Sequence, residues 1–273
     1  MNSKKTIFAS VPYLVWTVIF IIVPLLMVLF FAFTSKNGGL TFDNITGIGK
    51  YSHVFLKSIN LSAIATAICL LIAFPIAYMI SRMGESAQRT MIMLLMLPMW
   101  MSFLLRTYAW MTLLEKEGLI NKFLELFGIG PIAMINTPGA VVLGMVYNYL
   151  PFMVLPLHSV MVKIDKSVIE AAQDLGANGF HVLIRILLPL SLPGIITGIT
   201  MVFVTSVSTF IISRMLGGGK NLLIGDLIEQ QFLGSVYNPN VGSAMSLVLM
   251  AIILIIMGII NRFDDEEMEG MLI

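Results

Sequence analysis

Six stretches of about 20 residues or more are almost free of charge, and few folds are open to a chain built that way. They cover residues 10–34, 59–80, 91–114, 138–162, 190–213 and 241–261. A helix rises about 1.5 Å per residue, so about 20 residues cross a hydrocarbon layer of about 30 Å. The runs are continuous and rich in Leu, Ile, Met and Ala, which selects helices over the short alternating segments of a transmembrane barrel. Composition agrees: 58% hydrophobic and 11% charged residues, with a mean hydropathy of +0.95, exceed what a soluble core of 273 residues would hide. The expected fold class is all-α, a polytopic membrane protein with six transmembrane helices, one domain over residues 1–273 and membrane lipid as its solvent. Lys4 and Lys5 precede an apolar stretch from Ile7 to Thr34 that is longer than a signal-peptide core and lacks a small-residue cleavage site. It is expected to stay as the first helix.

Several functions are excluded early. A net charge of +1 offers no basic run for nucleic acid. A single cysteine, Cys69, lies in the second apolar window, where small-residue packing is its expected role. His53, His158 and His181 lack metal-ligand spacing, and the 21 methionines serve as flexible apolar filler, so no metal is assigned. Gly217-Gly218-Gly219-Lys220-Asn221 lacks the glycine spacing of a phosphate loop and the Ser or Thr after its lysine. This chain is not an ATPase.

Six spans put both termini on one side, and Lys4, Lys5, Arg82, Arg89 and Arg262 mark that side as cytoplasmic. Lys36, Lys50, Lys57, Lys116, Lys122 and Lys220 fall on the opposite face, with Arg106 and Arg214 expected near helix ends there, so total charge does not decide orientation. Residues 35–58, with Gly38, Gly39, Gly47 and Gly49, read as an exposed loop. Leu119, Ile120, Phe123, Leu124 and Phe127 repeat at helical spacing, which predicts a short amphipathic helix on the outer membrane face. Pro24, Pro75, Pro98, Pro151 and Pro156 fall within windows, where each removes a backbone hydrogen bond and favours a kink. The tail from Asp264 to Glu269 reads as a solvated end.

The segment 163–189, KIDKSVIEAAQDLGANGFHVLIRILLP, interrupts the fourth and fifth windows. Ser167 followed by Glu170 predicts a capping box. Val168, Ala171, Ala172 and Leu175 form an apolar stripe, Glu170 and Asp174 share a polar face, and Gly176 suits the left-handed position after a helix. A helix of about eight residues is unstable alone in water, so a partner groove is expected to hold it. A second helix resumes at Phe180 and stops at Pro189.

Glu170-Ala171-Ala172, Gly176, Ile186, Leu188 and Pro189 reproduce the pattern EAA-x3-G-x9-I-x-LP. In this the chain resembles the permeases of binding-protein-dependent ABC importers, whose loop is cytoplasmic and docks a coupling helix into the ATPase subunit. The resemblance implies the type I ABC importer permease fold, with 163–189 as the coupling loop. Stretches 97–114, 117–129 and 217–232 are similar to the spermidine/putrescine permease subfamily. That similarity implies a bacterial cell membrane protein with both termini cytoplasmic. Its expected partners are an ATPase dimer that binds ATP and Mg, a second related permease subunit, and an extracellular or periplasmic polyamine-binding protein. No cofactor is expected on this chain.

A polyamine path needs carboxylates or aromatic faces. The candidates are Glu115, Glu117, Asp226 and Glu229, with Tyr108, Trp110, Tyr147 and Tyr149 for cation–π contact. The same residues also suit interfacial anchoring or a solvated loop. Buried acids are scarce, which fits transient contact and equally fits another binding-protein substrate such as thiamine, iron or an opine. A secondary transporter is disfavoured by the lack of internal repeats and coupling ions' ligands, and an intramembrane enzyme by the lack of a catalytic constellation.

Overall fold

The computed structural model describes residues 11–35, 38–234 and 236–270, and only the backbone of residues 261 and 263–270. Lys4, Lys5, Lys36 and the side chains from Asp264 to Glu269 therefore lie outside the described residues. Apart from one isolated bridge between Thr34 and Leu40, the described residues are helices and their connections. Four helices are long and apolar enough to cross a membrane, and six do so if each of two bent pairs counts as one span.

The helices are α1 (Val11–Ala32), α2 (Asp43–Ser81), α3 (Glu85–Met96), α4 (Phe103–Leu114), α5 (Leu119–Glu125) and α6 (Pro138–Met161). They continue with α7 (Lys166–Asp174), α8 (Gly179–Leu190), α9 (Leu192–Val207), α10 (Ile211–Gly217), α11 (Ile224–Leu233) and α12 (Pro239–Gly270). Two windows depart from the single helices expected of them. Window 91–114 is broken at Met101 and Ser102, where Glu85–Trp100 and Phe103–Glu125 meet at 87°. Window 190–213 holds the bend of 71° between α8 and α9 and a second break before α10. Hydropathy measures only how apolar a stretch is, so it is blind to changes of chain direction. Residues 35–58 are also not all loop, because α2 begins at Asp43.

Prolines act in two ways. Pro75, Pro151 and Pro156 sit inside the uninterrupted helices α2 and α6. Near Pro24 and Pro189 the chain instead widens into π turns at Val18–Ile22 and Leu183–Leu187, and at Pro98 it tightens to a 3-10 turn over Leu97–Trp100. A proline cannot donate to the carbonyl four residues back, and its ring crowds that carbonyl, so the local winding adjusts.

The chain divides into two compact units. The first comprises Met1–His53 and Leu227–Leu254. In it, the last carbonyls of α1 find side-chain donors. Asn44 Nδ2 donates to Ala32 O at 3.1 Å and to Thr34 O at 3.0 Å, and Asn240 Nδ2 donates to Phe31 O at 3.0 Å and to Thr34 O. A helix end in or near lipid needs such partners because water does not supply them.

The second unit comprises Val54–Asp226 and Ile255–Ile273. Along α2, Ala65, Cys69, Ala73 and Ala77 recur every four residues, and all are fully buried. This small-residue stripe lets backbones approach, and Cys69 Sγ lies 3.8 Å from Val146 O of α6. Between α6 and α9 Gly194 and Gly198 sit close against the α6 chain, a Gly-x-x-x-Gly pair not singled out from the sequence. A Cβ on Gly194 would lie 2.9 Å from Pro156 O and 3.2 Å from Leu157 Cα, and neither backbone atom can swing aside. Gly194→Ala is therefore expected to cost about 1–3 kcal/mol through overpacking, read as a lower unfolding temperature of the detergent-solubilised protein. At Gly198 the nearest atom is the more yielding Met153 Sδ, so Gly198→Ala should cost less, and equal effects would contradict this account.

Candidate coupling site

The segment after α6 is anchored at its root. Arg82, just past α2, donates from Nη1 to Ile164 O at 3.1 Å, and its guanidinium lies 5.3 Å from the Tyr78 ring centroid. From there α7 starts two residues earlier than the sequence suggests. Its N-cap is Asp165, whose Oδ1 accepts from the Ser167 N–H at 3.0 Å. The expected Ser167–Glu170 capping box is thus replaced: Ser167 lies inside the helix. A carboxylate is the stronger acceptor for an orphan N–H, and it also favours the positive end of the helix dipole. The Ser167 backbone N–H holds the Asp165 carboxyl below the usual carboxylate range. The cap is therefore fully formed above the unfolded-state value and is lost as pH falls through the lower, folded one.

The far end of α7 matches its sequence signal. Gly176 has φ +86°, its N–H donates to Gln173 O at 2.9 Å, and the Ala177 N–H donates to Ala172 O at 3.0 Å. These two bonds make a Schellman ending. Asn178 then caps α8 by accepting from the His181 N–H at 2.9 Å. The result is a tight bracket of two short helices with both inner ends satisfied.

The faces of α7 differ from the expected stripe. Ile169, not named from the sequence, is buried and belongs to the core, with Ala172 packed beside it. Val168 and Leu175 point outward at 43% and 89% exposure, and Ala171 is also exposed. Inward contact selects residues 169 and 172, three apart on one helical face, and the remaining apolar side chains are left uncovered by this chain. Glu170 and Asp174 are exposed as expected, and so is Phe180 at the start of α8. Beside them Ala172, Leu175, Gly176, Ala177, His181, Arg185 and Ile186 line a cavity of about 350 Å³. The structure thus gathers Ala172, Gly176 and Ile186 around one hollow. Glu170, Ala171 and Asp174 lie on the exposed side of α7, while Leu188 and Pro189 lie farther along α8.

The eight candidate path residues are spread over α4, the turn after it, α6 and α11. Trp110 and Tyr147 meet edge to face with centroids 5.3 Å apart, Tyr108 is exposed, and Tyr149 is buried. Glu115 and Glu117 are exposed and line a separate cavity of about 620 Å³ with Lys122. The short amphipathic helix is present as α5, pinned by Asn121, whose side chain bonds Glu115 O and both backbone groups of Ile132 at 2.9–3.0 Å. Asp226 and Glu229 are on α11 rather than in a loop. Asp226 is completely buried, accepts from Ser213 Oγ and from the Leu223 N–H at 2.9 Å, and lies 3.8 Å from Arg214 Nε. Its carboxylate is engaged in holding α10 and the start of α11. Among the described residues no cluster of His, Cys, Asp or Glu is arranged to hold a metal.

Residues 81–266 match the family described as the binding-protein-dependent transport system inner membrane component. The chain is 38% identical over 267 residues to the spermidine/putrescine transport system permease protein PotB of Haemophilus influenzae, covering 93% of each chain. It is 36% identical over 267 residues to PotB of Escherichia coli K12, covering 93% of this chain and 97% of that one. Its fold is similar to that of a chain of a bacterial ABC transporter that imports the acidic polysaccharide alginate, with a TM-score of 0.80 at 16% identity over 96% and 95% of the two chains.

Proposed function

The chain belongs to the family of binding-protein-dependent transport system inner membrane components, and we propose that it is the permease subunit through which an ABC importer moves spermidine and putrescine into the cell. The observation that carries the coupling role is the α7–α8 bracket. It is rooted in the core by Ile169 and presents Val168, Leu175 and Phe180 beside Glu170 and Asp174 to a partner. An apolar face with a carboxylate-bearing face beside it, on a helix too short to stand alone, fits a groove of matching shape. In this reading the groove is on a cytoplasmic ATPase dimer, which binds ATP and Mg, and a second related permease completes the path. A binding protein outside the membrane delivers the substrate; a bacterial alginate ABC transporter of similar fold is in complex with an alginate pentasaccharide-bound periplasmic protein. Both termini are then cytoplasmic.

ATP-driven closure of the ATPases moves α7 as one body, and the bend between α8 and α9 carries that motion to the membrane helices, so the path opens alternately to each side. The polyamine assignment rests on likeness to PotB over nearly the whole chain. Labelled spermidine and putrescine uptake, in cells lacking their own importers, tests it with and without this chain beside its partners. An assembled complex that takes up neither would sink the substrate and leave the coupling site standing. Glu170→Arg reverses a charge on the docking face and is expected to lower uptake and stimulated ATP hydrolysis together, by about tenfold. Unchanged values in that variant would show that the exposed face of α7 is not where the ATPase binds.

A further inference from the structure

The six apolar windows contain one charged residue of the Lys, Arg, Asp and Glu set, Arg106. It is the fourth residue of α4, just past the break at Met101 and Ser102, and only 8% exposed. Its Nε is buried with no acceptor among the described residues, and its guanidinium stands 5.8 Å from the Phe103 ring centroid. Tyr149 of α6 lies within electrostatic reach of it, and on the other side the Tyr149 hydroxyl faces Thr209, in the break between α9 and α10. Two helix breaks and a buried tyrosine therefore converge on one guanidinium.

Its depth limits what can complete it. Tyr149 is the twelfth of the 24 residues of α6, so the cluster is midway along a membrane-length helix and out of reach of lipid headgroups. A guanidinium at that depth is retained where it meets an acceptor in protein or a water-filled path. This chain offers no free carboxylate there, because its six windows contain no Asp or Glu, and buried Asp226 is engaged by Arg214, Ser213 and Leu223. The cation–π contact with Phe103 offsets part of the desolvation but supplies no hydrogen-bond acceptor.

We propose that Arg106, within electrostatic reach of Tyr149, receives a carboxylate from the second permease subunit across the subunit interface, and that this ion pair keeps the path closed between transport cycles. The inference rests on the importer reading for its second subunit. A guanidinium and an alkylammonium present the same charge-assisted N–H donors to a carboxylate. An arriving polyamine thus competes with Arg106 for the same group, and the pair parts as the substrate takes its place.

The test uses the whole complex, reconstituted in vesicles without ATP, and reads passive potassium leak, which does not depend on what the importer carries. Arg106→Ala is expected to raise the leak roughly tenfold or more while the second subunit still co-purifies, and Arg106→Lys to stay near the unaltered complex. An assembled R106A complex as tight as the parent, or R106K as leaky as R106A, overturns the proposal. If R106A does not assemble, R106E is paired with single Asp→Lys and Glu→Lys changes in the second subunit. One such reversal should restore both assembly and a tight membrane, and rescue by none of them overturns the proposal equally.

Discussion

Asp226→Ala is expected to deplete the protein from the membrane before any effect on transport can be read. The carboxylate is wholly buried and takes hydrogen bonds from the Ser213 hydroxyl and the Leu223 N–H, with Arg214 Nε 3.8 Å away. It is also the third residue of α11, where an acidic side chain reaching back to the N–H before the helix forms half of a capping box. Removing one member of a buried ion pair costs about 3–5 kcal/mol, and the lower end applies because the Arg214 side chain is 44% exposed and keeps part of its hydration. Asp226→Asn keeps an acceptor for Ser213 and Leu223 and should retain more folded protein. Quantitative immunoblots of membranes and unfolding in detergent report both variants. Normal levels of D226A with selectively lost uptake would return Asp226 to the substrate path and refute the structural role.

Gly176→Val should produce the opposite pattern, normal levels with poor coupling. A Cβ at Gly176 would meet nothing within 4 Å, so space is no obstacle. The obstacle is φ +86°, a left-handed conformation that costs an L-residue about 1–2 kcal/mol, and a β-branched one more. That strain falls on the two Schellman bonds that set the angle between α7 and α8. Relieving it by rotating the chain would lift Val168, Leu175 and Phe180 out of their common arrangement. A shift of about 1.4 kcal/mol is a tenfold change in the population of the docking-competent form, so uptake and stimulated ATP hydrolysis should fall about tenfold. Gly176→Asn, which tolerates the left-handed region, should keep most activity, with Gly176→Ala between the two. The reverse order among these three would mean that something other than backbone conformation governs the position.

Covalent spacing was the readable part of this chain. Glu170, Gly176, Ile186 and Pro189 are fixed relative to one another by sequence, and Gly176 advertises its own backbone angle. Choices between near-equal local options were harder. Asp165 and Ser167 are both good caps, and only the formed hydrogen bond selects Asp165. Long-range burial was invisible: Asp226 reads as a loop carboxylate until Ser213 and Arg214 are brought against it, and Ile169 is one apolar residue among several until α7 is rooted. The break at Met101 and Ser102 had one local sign, Pro98, whereas the break at Ser208 and Thr209 had neither proline nor glycine to announce it. The Gly194–Gly198 pair could have been found, because the four-residue spacing of small side chains in an apolar window is a packing signal in itself.

The two asparagines at the end of α1 imply a schedule for making the protein. Asn44 lies 10 to 12 residues beyond the carbonyls it serves, so it emerges from the ribosome almost with them. Asn240 lies more than 200 residues beyond Phe31 and Thr34 and emerges only after all the helices between have been made. Throughout that interval the end of α1 is covered on one side only. Only α12, made long afterwards, closes the other.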